Sequence, residues 1–359
     1  MTRRLGAFVV ILAAVAALTA PLVAPHAIDQ QFGGLLNAPP TLVRVRDDAG
    51  RWQAPFIYPW KRVSQLEQRY EEDRGRSVPV VWLDGGRLMR SADEAVAPLL
   101  ILGADSYGRD VFSRLLFGAR ISLGLSLLAA IGATIVGGII GGLAGYIGGT
   151  VDDLLMRASD FVLVLPAMYV ALALRSIMPL VLTSGTVFLL LAGIFAVVGA
   201  PFITRGVRAI VRTERRLDYA AAATSLGAGH VRLLGRHLLP AARGFVVVQL
   251  TMLVPAFIVA EATLSYVGLG FPEPVASWGT MLQDASSIRA LADFPWLLSP
   301  AAAMFLVVLG LNLMLQGRPD YFGPDSALRA SSRSRRSASR EGGQGYGGPS
   351  SSSTMSACL

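Results

Sequence analysis

The stretch Gly118–Tyr146 has the sequence GARISLGLSLLAAIGATIVGGIIGGLAGY. Beyond Arg120 it contains no charged residue, and about 20 apolar residues suffice to cross the hydrocarbon core of a bilayer as a helix. The strands of a membrane barrel alternate apolar and polar residues over about ten positions, and this stretch does not alternate. It therefore predicts a transmembrane helix and places the chain among helical membrane proteins.

Five further segments have the same character. Across the chain 53% of residues are hydrophobic and 16% are charged, whereas soluble domains carry about 25% charged residues. Composition and segment lengths together predict an all-α polytopic membrane protein with six transmembrane helices. Besides Gly118–Tyr146, the predicted spans are Leu5–Ala24, Phe161–Leu180, Thr183–Thr204, Gly244–Leu269 and Leu297–Gln316.

The first predicted span has a second interpretation. Arg3 and Arg4, followed by an apolar run, also fit a signal peptide cleaved near Ala24 or Ala27. The run has about 20 residues, longer than the apolar region typical of a signal peptide, which favours an uncleaved helix.

The distribution of charge predicts the orientation in the membrane. The loop 205–243 holds eight arginines against Glu214 and Asp218, whereas the loop Phe271–Trp296 holds one arginine against three acidic residues. Cytoplasmic loops are enriched in Lys and Arg. The first loop is therefore predicted in the cytoplasm and the second outside. Six spans then place both termini of this inner (plasma) membrane protein in the cytoplasm. The net charge of +8 predicts contact with membrane lipid, and its distribution argues against nucleic acid.

The chain divides into four predicted regions. An N-terminal transmembrane helix, 1–25, precedes an external (periplasmic) segment, 26–101, in which Gln65–Arg74 is expected to form a short exposed helix. A core, 102–316, contains the other five transmembrane helices. The tail, 317–359, is rich in Ser, Arg and Gly, with too few apolar residues to offset chain entropy. It is predicted to be disordered, and whether it is a real extension or a reading-frame artefact stays open.

Glycines recur at four-residue spacing in the opening stretch. One stripe is formed by Gly137, Gly141 and Gly145, and a second by Gly138 and Gly142. Small residues at this spacing let another helix backbone approach closely. Glycine is also common in membrane helices generally, but two stripes favour a packing surface.

One polar, arginine-rich stretch lies between two apolar ones. Asp218–Pro240 has the sequence DYAAAATSLGAGHVRLLGRHLLP, which predicts two short helices joined at Gly227-Ala228-Gly229 and stopped by Pro240. Gly227 can adopt the left-handed conformation that ends a helix. A small-residue helix kept outside the lipid is typical of a docking surface for another protein, and a solvated, alanine-rich surface helix is the alternative.

Several motifs in order along Leu102–Asn312 are similar to those of the dipeptide/oligopeptide-type ABC transporter permeases. LGADSYGRDVFSRLLFGAR, at Leu102–Arg120, resembles the family signature GTDxxGRDxxSRxxxGAR. Further similar segments are GYIGGTVDD at Gly145–Asp153, LMRASD at Leu155–Asp160, and AEATLSYVGLG at Ala260–Gly270 followed by Ser277-Trp278-Gly279.

The arginine-rich stretch resembles the cytoplasmic EAA loop of that family, in which Glu-Ala-Ala is followed by a glycine and then by Leu-Pro. The matching positions here are Ala221, Ala222, Ala223, Gly227, Leu239 and Pro240. The resemblance implies a MetI-like type I ABC importer permease fold, with 205–243 as the coupling loop docked on an ATPase. It implies a second homologous permease subunit, two cytoplasmic ATP-binding subunits and an external substrate-binding protein as partners. The cargo would be di- or oligopeptides, carried by alternating access, and nickel or another small solute is the alternative within this class.

The EAA loop departs from the family pattern at its first position. Ala221 replaces the family's Glu, and Asp218 lies three residues earlier, nearly one helical turn. A contact made by that Glu is therefore absent here or moved to Asp218. After Asn312 the family's Gly-Asp-Gly-Leu-Arg segment is replaced by Gln316-Gly317-Arg318-Pro319-Asp320.

No pattern in the sequence predicts covalent catalysis. The chain lacks a Gly-x4-Gly-Lys-Ser/Thr motif, so it is not expected to be the ATPase. Its three histidines lack a Cys or Glu cluster that would complete a metal site, and no cofactor is expected. The alternatives from another class are a polytopic membrane enzyme or a secondary transporter that works without ATP. A secondary transporter would be expected to carry an internal repeat and carboxylates at membrane depth.

Three charged residues, one within the fifth predicted span and two at the entry of the third, are candidate functional or structural groups. Glu261 is the deepest carboxylate; it would either line the translocation path and meet a peptide amino group or accept a hydrogen bond from a neighbouring helix. Arg157 and Asp160, three residues apart, are expected to form a structural pair.

Overall fold

Helices account for most of the chain after residue 110, and short strands occupy much of the segment before it. The computed structural model describes residues 2–315 apart from 48–49, 66, 166, 178, 180–181 and 287–291. The tail 317–359, predicted to be disordered, lies outside the described residues.

The described helices fall into long and short classes. The long ones are α1 Thr2–Leu18, α3 Val111–Ile147, α4 Gly149–Val164, α5 Ala167–Ile177, α6 Ser184–Glu214, α9 Arg243–Tyr266 and α11 Ser299–Leu315. The short ones are α2 Ala20–Val23, α7 Asp218–Ser225, α8 His230–Arg232 and α10 Trp278–Asp284.

Four helical stretches are long and apolar enough to cross a membrane. They are Val111–Ile147, Ser184–Glu214, His230–Tyr266 and Pro295–Leu315. The predicted helical, multi-pass architecture is therefore confirmed. The first predicted span is represented by α1 and α2, and the third by α4 and α5, which meet near Leu165. The number six stays a prediction.

The segment 26–101 contains strands, so the all-α prediction is wrong there. One antiparallel sheet has the order β1-β2-β5-β6, and a separate hairpin pairs β3 with β4. The strands are β1 Arg44–Arg46, β2 Trp52–Ile57, β3 Trp60–Ser64, β4 Arg69–Glu72, β5 Val78–Asp84 and β6 Arg87–Ser91.

The predicted helix Gln65–Arg74 is also wrong, because β4 occupies its second half. Strand pairing places Lys61 opposite Glu71, and opposite charges on facing positions stabilise a hairpin. The Tyr70 hydroxyl also donates to the backbone oxygen of Leu36 at 2.6 Å. Lys61 and Leu36 both lie outside Gln65–Arg74, so the residue pattern of Gln65–Arg74 alone does not reveal these contacts.

Helix α3 packs against α6 through the first glycine stripe. A methyl group added to Gly137, Gly141 or Gly145 would collide with a backbone oxygen of α6, at 2.5 Å for Gly137 and 2.6 Å for Gly145. The oxygens belong, in the same order, to Ala200, Thr204 and Arg208. The predicted packing surface is confirmed for this stripe. In the second stripe, Gly142 faces Leu239 and Gly138 faces open space.

The two loops of opposite charge lie at opposite ends of α3, which spans about 55 Å at 1.5 Å per residue. Its first residues follow Asp110, whose carboxylate caps the helix by accepting from the N–H groups of Phe112 and Ser113. At this end Trp278 of the acidic loop donates its Nε1–H to the Leu115 backbone oxygen at 3.2 Å, and the backbone N–H of His26 donates to Ser113 Oγ at 3.1 Å. At the other end Tyr146 contacts His230 of the arginine-rich loop.

We predict that Gly141→Ala lowers the stability of the detergent-solubilised protein. The added methyl group would meet the Thr204 oxygen, and such overpacking costs about 1–3 kcal/mol. The change is measured as a lower midpoint of thermal unfolding. Gly138→Ala is the matched control, since no atom lies within 4 Å of its added methyl group. Equal effects of the two substitutions would contradict the assigned packing.

Candidate functional site

The arginine-rich loop begins with α7, which ends at a left-handed glycine. Gly227 has φ +84°, and its N–H donates to Thr224 O at 3.0 Å. The next N–H, of Ala228, donates to Ala223 O, also at 3.0 Å. These two bonds form a Schellman motif, which satisfies the last carbonyls of a helix. The predicted conformation of Gly227 is confirmed.

The helix in the second half of the loop does not end at Pro240, contrary to the prediction. The chain continues helically from α8 into α9. It passes through a π-helical turn, Leu233–Leu238, and then a tighter 3₁₀ turn, Leu239–Ala242. Pro240 lies at the start of the tight turn, where a missing N–H costs little. The proline therefore marks a change of helical pitch rather than an end.

The tip of the loop exposes large apolar side chains. Leu226 is 89% exposed and Val231 is 88% exposed, one on each side of the Gly227-Ala228-Gly229 turn. Asp218, Ala221, Ala222 and Gly227 are also exposed, and Ala223 is half-buried. Isolated apolar residues are ordinary on a protein surface. Leu226 and Val231, however, lie beside the exposed alanines of α7 and a glycine turn. Together they form an apolar tip with few large side chains around it, which another protein can approach closely. We call Leu226, Val231 and the exposed face of α7 the loop tip.

Leu239 and Pro240 lie away from the loop tip. Both are half-buried, and the Leu239 side chain packs over Gly142 of α3, where an added methyl group would lie 3.2 Å from Leu239 Cδ2. Their position fits anchoring of the loop to the long helices rather than contact with a partner.

Tyr146, in the last turn of α3, joins both arms of the loop. Its hydroxyl is 2.5 Å from His230 Nδ1, and the guanidinium carbon of Arg215 lies 4.9 Å from the centre of its ring. Arg215 Nη1 also donates to the Tyr146 backbone oxygen. Tyr146 therefore connects both arms of the loop to the end of α3.

Asp160 has a partner on another helix. Arg205 Nη2 of α6 donates to Asp160 Oδ1 at 2.6 Å, so the carboxylate pairs across helices rather than with the predicted Arg157. One turn further along α6, Arg208 donates to both oxygens of Asp152, with Nη2 at 2.6 Å from Oδ2. Both ion pairs fasten α4 to α6. Spacing in sequence suggested the Arg157 pair, but tertiary packing brings the arginines of α6 closer.

At the opposite end of α3, two arginines of the signature segment hold the loop between α9 and α11. Arg109 is buried, and its guanidinium donates to three carboxylates: Asp105 at 2.7 Å, Glu273 at 2.6 Å and Asp284 at 3.0 Å. Arg114, which is 1% exposed, lies 3.6–3.9 Å from the same three carboxylates. We call these five residues the arginine clamp.

Glu261 of α9 is completely buried, and both its carboxylate oxygens accept hydrogen bonds. Ser122 Oγ of α3 donates to Oε2 at 2.8 Å, and Ser265 Oγ donates to Oε1 at 2.6 Å. The Ser122 hydroxyl in turn accepts from the N–H of Trp278, at 3.1 Å. The bond to a neighbouring helix, one of the two interpretations of Glu261, is present. A role in the translocation path stays a prediction.

Residues 134–325, more than half of the chain, match the family described as binding-protein-dependent transport system inner membrane component. The chain belongs to that family. The match includes the second half of α3, the whole arginine-rich loop and the clamp residues Glu273 and Asp284. As a member of this family, whose class is transport and not catalysis, the chain is a multi-pass membrane protein and a permease component.

Three relatives show how far the similarity extends. The oligopeptide transport system permease protein OppC of Bacillus subtilis is 36% identical over 229 residues, covering 62% of this chain and 70% of the relative. The glutathione transport system permease protein GsiD of Pectobacterium atrosepticum is 36% identical over 223 residues, covering 62% and 72%. The dipeptide transport system permease protein DppC of Alkalihalophilus pseudofirmus is 34% identical over 223 residues, covering 62% and 71%.

Three features of this permease component escaped the sequence interpretation. Leu226 and Val231 could have been recognised as apolar residues flanking a glycine turn in a basic loop. Tyr146 lies within one of the family-like motifs, but the motif alone does not reveal its contacts, because its partners follow about 70 to 84 residues later. The clamp role of Arg109 was missed for the same reason, since Glu273 and Asp284 are more than 160 residues away.

Asp284 of the clamp is expected to make stability depend on pH. Burial of its carboxyl, with Asp105 and Glu273 nearby, raises its pKa to about 6, although Arg109 and Arg114 oppose the shift. The folded protein therefore holds this proton more tightly than the unfolded chain, where the pKa is 3.8. The resulting stabilisation is complete below that value and is lost as the pH rises through about 6.

We predict that Asp284→Asn removes this contribution. Between pH 7.5 and pH 5 the unmodified protein should gain about 2–6 °C in Tm relative to the variant, since 1 kcal/mol moves Tm by roughly 2–4 °C in a domain of this size. The measurement is thermal unfolding in detergent across that pH range. Ser286→Asn, at an exposed residue two positions along the chain, changes no titratable group and should leave the pH dependence unchanged. Identical pH profiles for Asp284→Asn and the unmodified protein would show that Asp284 does not titrate there.

Proposed function

We propose that this chain is the transmembrane permease subunit of a peptide-carrying ABC importer. The relatives named for oligopeptide, dipeptide and glutathione transport support peptides as the cargo. The observation that carries the proposal is the exposed, apolar loop tip at the end of α3 remote from the segment 26–101. A permease component of this family requires such a surface to receive the work of ATP hydrolysis from another subunit.

The proposed complex contains two permeases, this chain and a homologous second subunit. Two cytoplasmic ATP-binding subunits would receive the loop tips, and an external binding protein would deliver peptide to the opposite face. ATP-driven closure of the ATPase pair draws the loops together and reorients the helices. The chain itself carries out no covalent step.

The proposed topology has six spans, with both termini and the loop 205–243 in the cytoplasm and the segment 26–101 outside. The eight arginines of that loop against its two acidic residues support this orientation. The segment 26–101 and the loop 205–243 contact opposite ends of α3, which is consistent with this orientation. In this arrangement α1 with α2 forms the first span, and α4 with α5 forms the third.

The transmission path is proposed to run from the loop tip to a firmly joined set of helices. Tyr146 ties the loop to α3. The glycine stripe ties α3 to α6, and the pairs of Arg205 and Arg208 tie α6 to α4. Asp218, in the exposed first turn of α7, is proposed to replace the charge that Ala221 lacks.

Purification and transport test the proposed function. The tagged permease should purify with an ATP-binding subunit, and proteoliposomes of the complex should take up labelled di- or oligopeptide with ATP but not with a non-hydrolysable analogue. Nickel ions and glutathione serve as competing cargoes in the same vesicles. A complex without an ATP-binding subunit, together with uptake that persists without ATP, would point to a secondary transporter. Uptake of nickel and not of peptide would support the importer class but would show that the cargo is not a peptide.

We predict that Gly227→Pro uncouples ATP hydrolysis from uptake while membrane insertion remains intact. Proline fixes φ near −65°, but Gly227 has φ +84° and donates its N–H to Thr224. Such local strain costs about 1–3 kcal/mol, and peptide uptake per ATP hydrolysed should fall about tenfold, equivalent to about 1.4 kcal/mol.

Gly229→Pro is the matched control for this substitution. Gly229 has φ −66°, which proline adopts without strain. The control should retain most of the uptake per ATP hydrolysed, because the Schellman motif at Gly227 remains. Normal coupling in Gly227→Pro would remove this glycine from its assigned role.

A further inference from the structure

The hairpin of β5 and β6 lies beside the end of the first membrane helix. Arg87 Nη1, at the start of β6, donates to the backbone oxygen of Pro25, and β6 packs beside α2. Pro25 lies two residues after α2 and precedes His26, whose N–H donates to Ser113 Oγ near the start of α3. In the proposed topology, the hairpin tip is therefore held at the level where the helices leave the bilayer.

The tip presents apolar side chains that the described part of the chain covers only in part. Leu83 is 75% exposed and Trp82 is 53% exposed. Leu83 also has φ +55°, an uncommon conformation for a bulky residue. The turn after it, Gly85-Gly86, has φ +60° and +78°, as a tight two-residue hairpin turn requires. A strained backbone thus displays a leucine outward, which is unfavourable in water.

The rest of the sheet fixes the direction in which the tip projects. At the other end of the sheet, Ile57, Val78 and Val80 are buried and pack with Leu99. Because β2 and β5 are antiparallel, Trp52 at the start of β2 lies toward the same end as the tip. Trp52 is also exposed, with the guanidinium of Arg46 4.3 Å from its ring centre. One end of the sheet is anchored in protein, and the other carries exposed tryptophans, leucine and arginine.

The neighbouring surface identifies the occupant. Leu18 and Leu22, at the end of the first helix and on α2, are exposed apolar residues of a helix proposed to cross the membrane. The hairpin lies beside the outer end of this helix, where Arg87 binds the Pro25 oxygen and β6 packs beside α2. Tryptophan is enriched where a membrane meets water, and an apolar tip with nearby arginine gains free energy at a lipid surface.

We infer that the β5–β6 tip, Trp82 with Leu83, inserts into the headgroup region of the external leaflet and anchors the segment 26–101 to the bilayer. The partner is a phospholipid surface. The inference rests on the proposed placement of α1 and α2 across the membrane. A docked binding protein is the competing occupant, but it would have to reach down beside Pro25 to the level of the lipid.

Site-directed labelling tests this anchor, since Cys358 is the only cysteine of the chain. In a Cys358→Ser background, Leu83→Cys is labelled with a small fluorophore, and the full transporter is reconstituted in phosphatidylcholine–phosphatidylglycerol vesicles. Nitroxides are placed either at the lipid headgroup or deep in the acyl chain. The headgroup nitroxide should lower the fluorescence at position 83 about twofold and the deep nitroxide much less, as expected for an interfacial residue. Trp82→Cys, labelled in the same way, should give the same pattern.

Two further positions calibrate the measurement. Leu22→Cys reports whether the end of the first helix lies in lipid, and at one turn from Pro25 it should be quenched by the headgroup nitroxide. Val63→Cys, also exposed but on the separate β3–β4 hairpin, should be quenched by neither nitroxide.

Quenching at Leu22 but not at position 83 would overturn the anchor and leave the topology intact. A label at 83 that ignores the lipid but shifts when the external binding protein is added would make the tip a protein-docking surface, which also overturns the anchor. A label at Leu22 that behaves like Val63 would reject the placement of the first helix and the anchor together, while ATP-dependent uptake would still test the proposed function.

Discussion

The contact on which the remaining structure depends is the approach of the α3 backbone to the α6 backbone. Within a membrane, helices gain little from the hydrophobic effect on meeting each other, so close van der Waals packing has to supply the association. At Gly137, Gly141 and Gly145 the α6 carbonyl oxygens leave no room for a side chain. The stripe continues to the end of the helices where the arginine-rich loop departs from α6. The loop therefore leaves from a rigid pair, not from a single helix.

The two ends of this pair are built with different interactions. At the loop end, Arg208 binds the buried carboxylate of Asp152, but Tyr146 is half-buried and the Arg205–Asp160 pair is exposed. An exposed ion pair contributes little on its own, which suits the movement proposed for this region. At the other end the clamp surrounds Arg109 and Arg114 with three carboxylates, and both guanidinium groups are buried. Removing one partner of such a buried cluster costs far more than its net contribution. The clamp therefore favours a fixed loop between α9 and α11 over a mobile one.

Features set by short-range chemistry could be predicted from the sequence, and features set by distant partners could not. Gly227 was assigned correctly because a left-handed helix end depends on the residue itself. The glycine stripe was assigned correctly because its period is a property of one helix. Gln65–Arg74 was assigned wrongly because its acidic pattern pairs with a neighbouring strand. Asp160 was given the wrong partner because Arg205 is 45 residues away in sequence. For the same reason the motif around Arg109 was recognised while its contacts were not, whereas for Glu261 a bond to a neighbouring helix was expected but its partner, Ser122, was not.

The alanine at position 221 has a physical consequence for the proposed docking. At Ala221 and Ala222, both exposed on α7, only a methyl group separates the helix backbone from a partner surface. Leu226 and Val231 then supply most of the apolar area that the loop tip can bury. Apolar burial has no strong directional requirement and is roughly proportional to area, whereas a charged contact depends on an opposing group in a defined place. Coupling through this loop would accordingly depend on shape and apolar contact at the Gly227 turn, with Asp218 and the arginines setting orientation and approach.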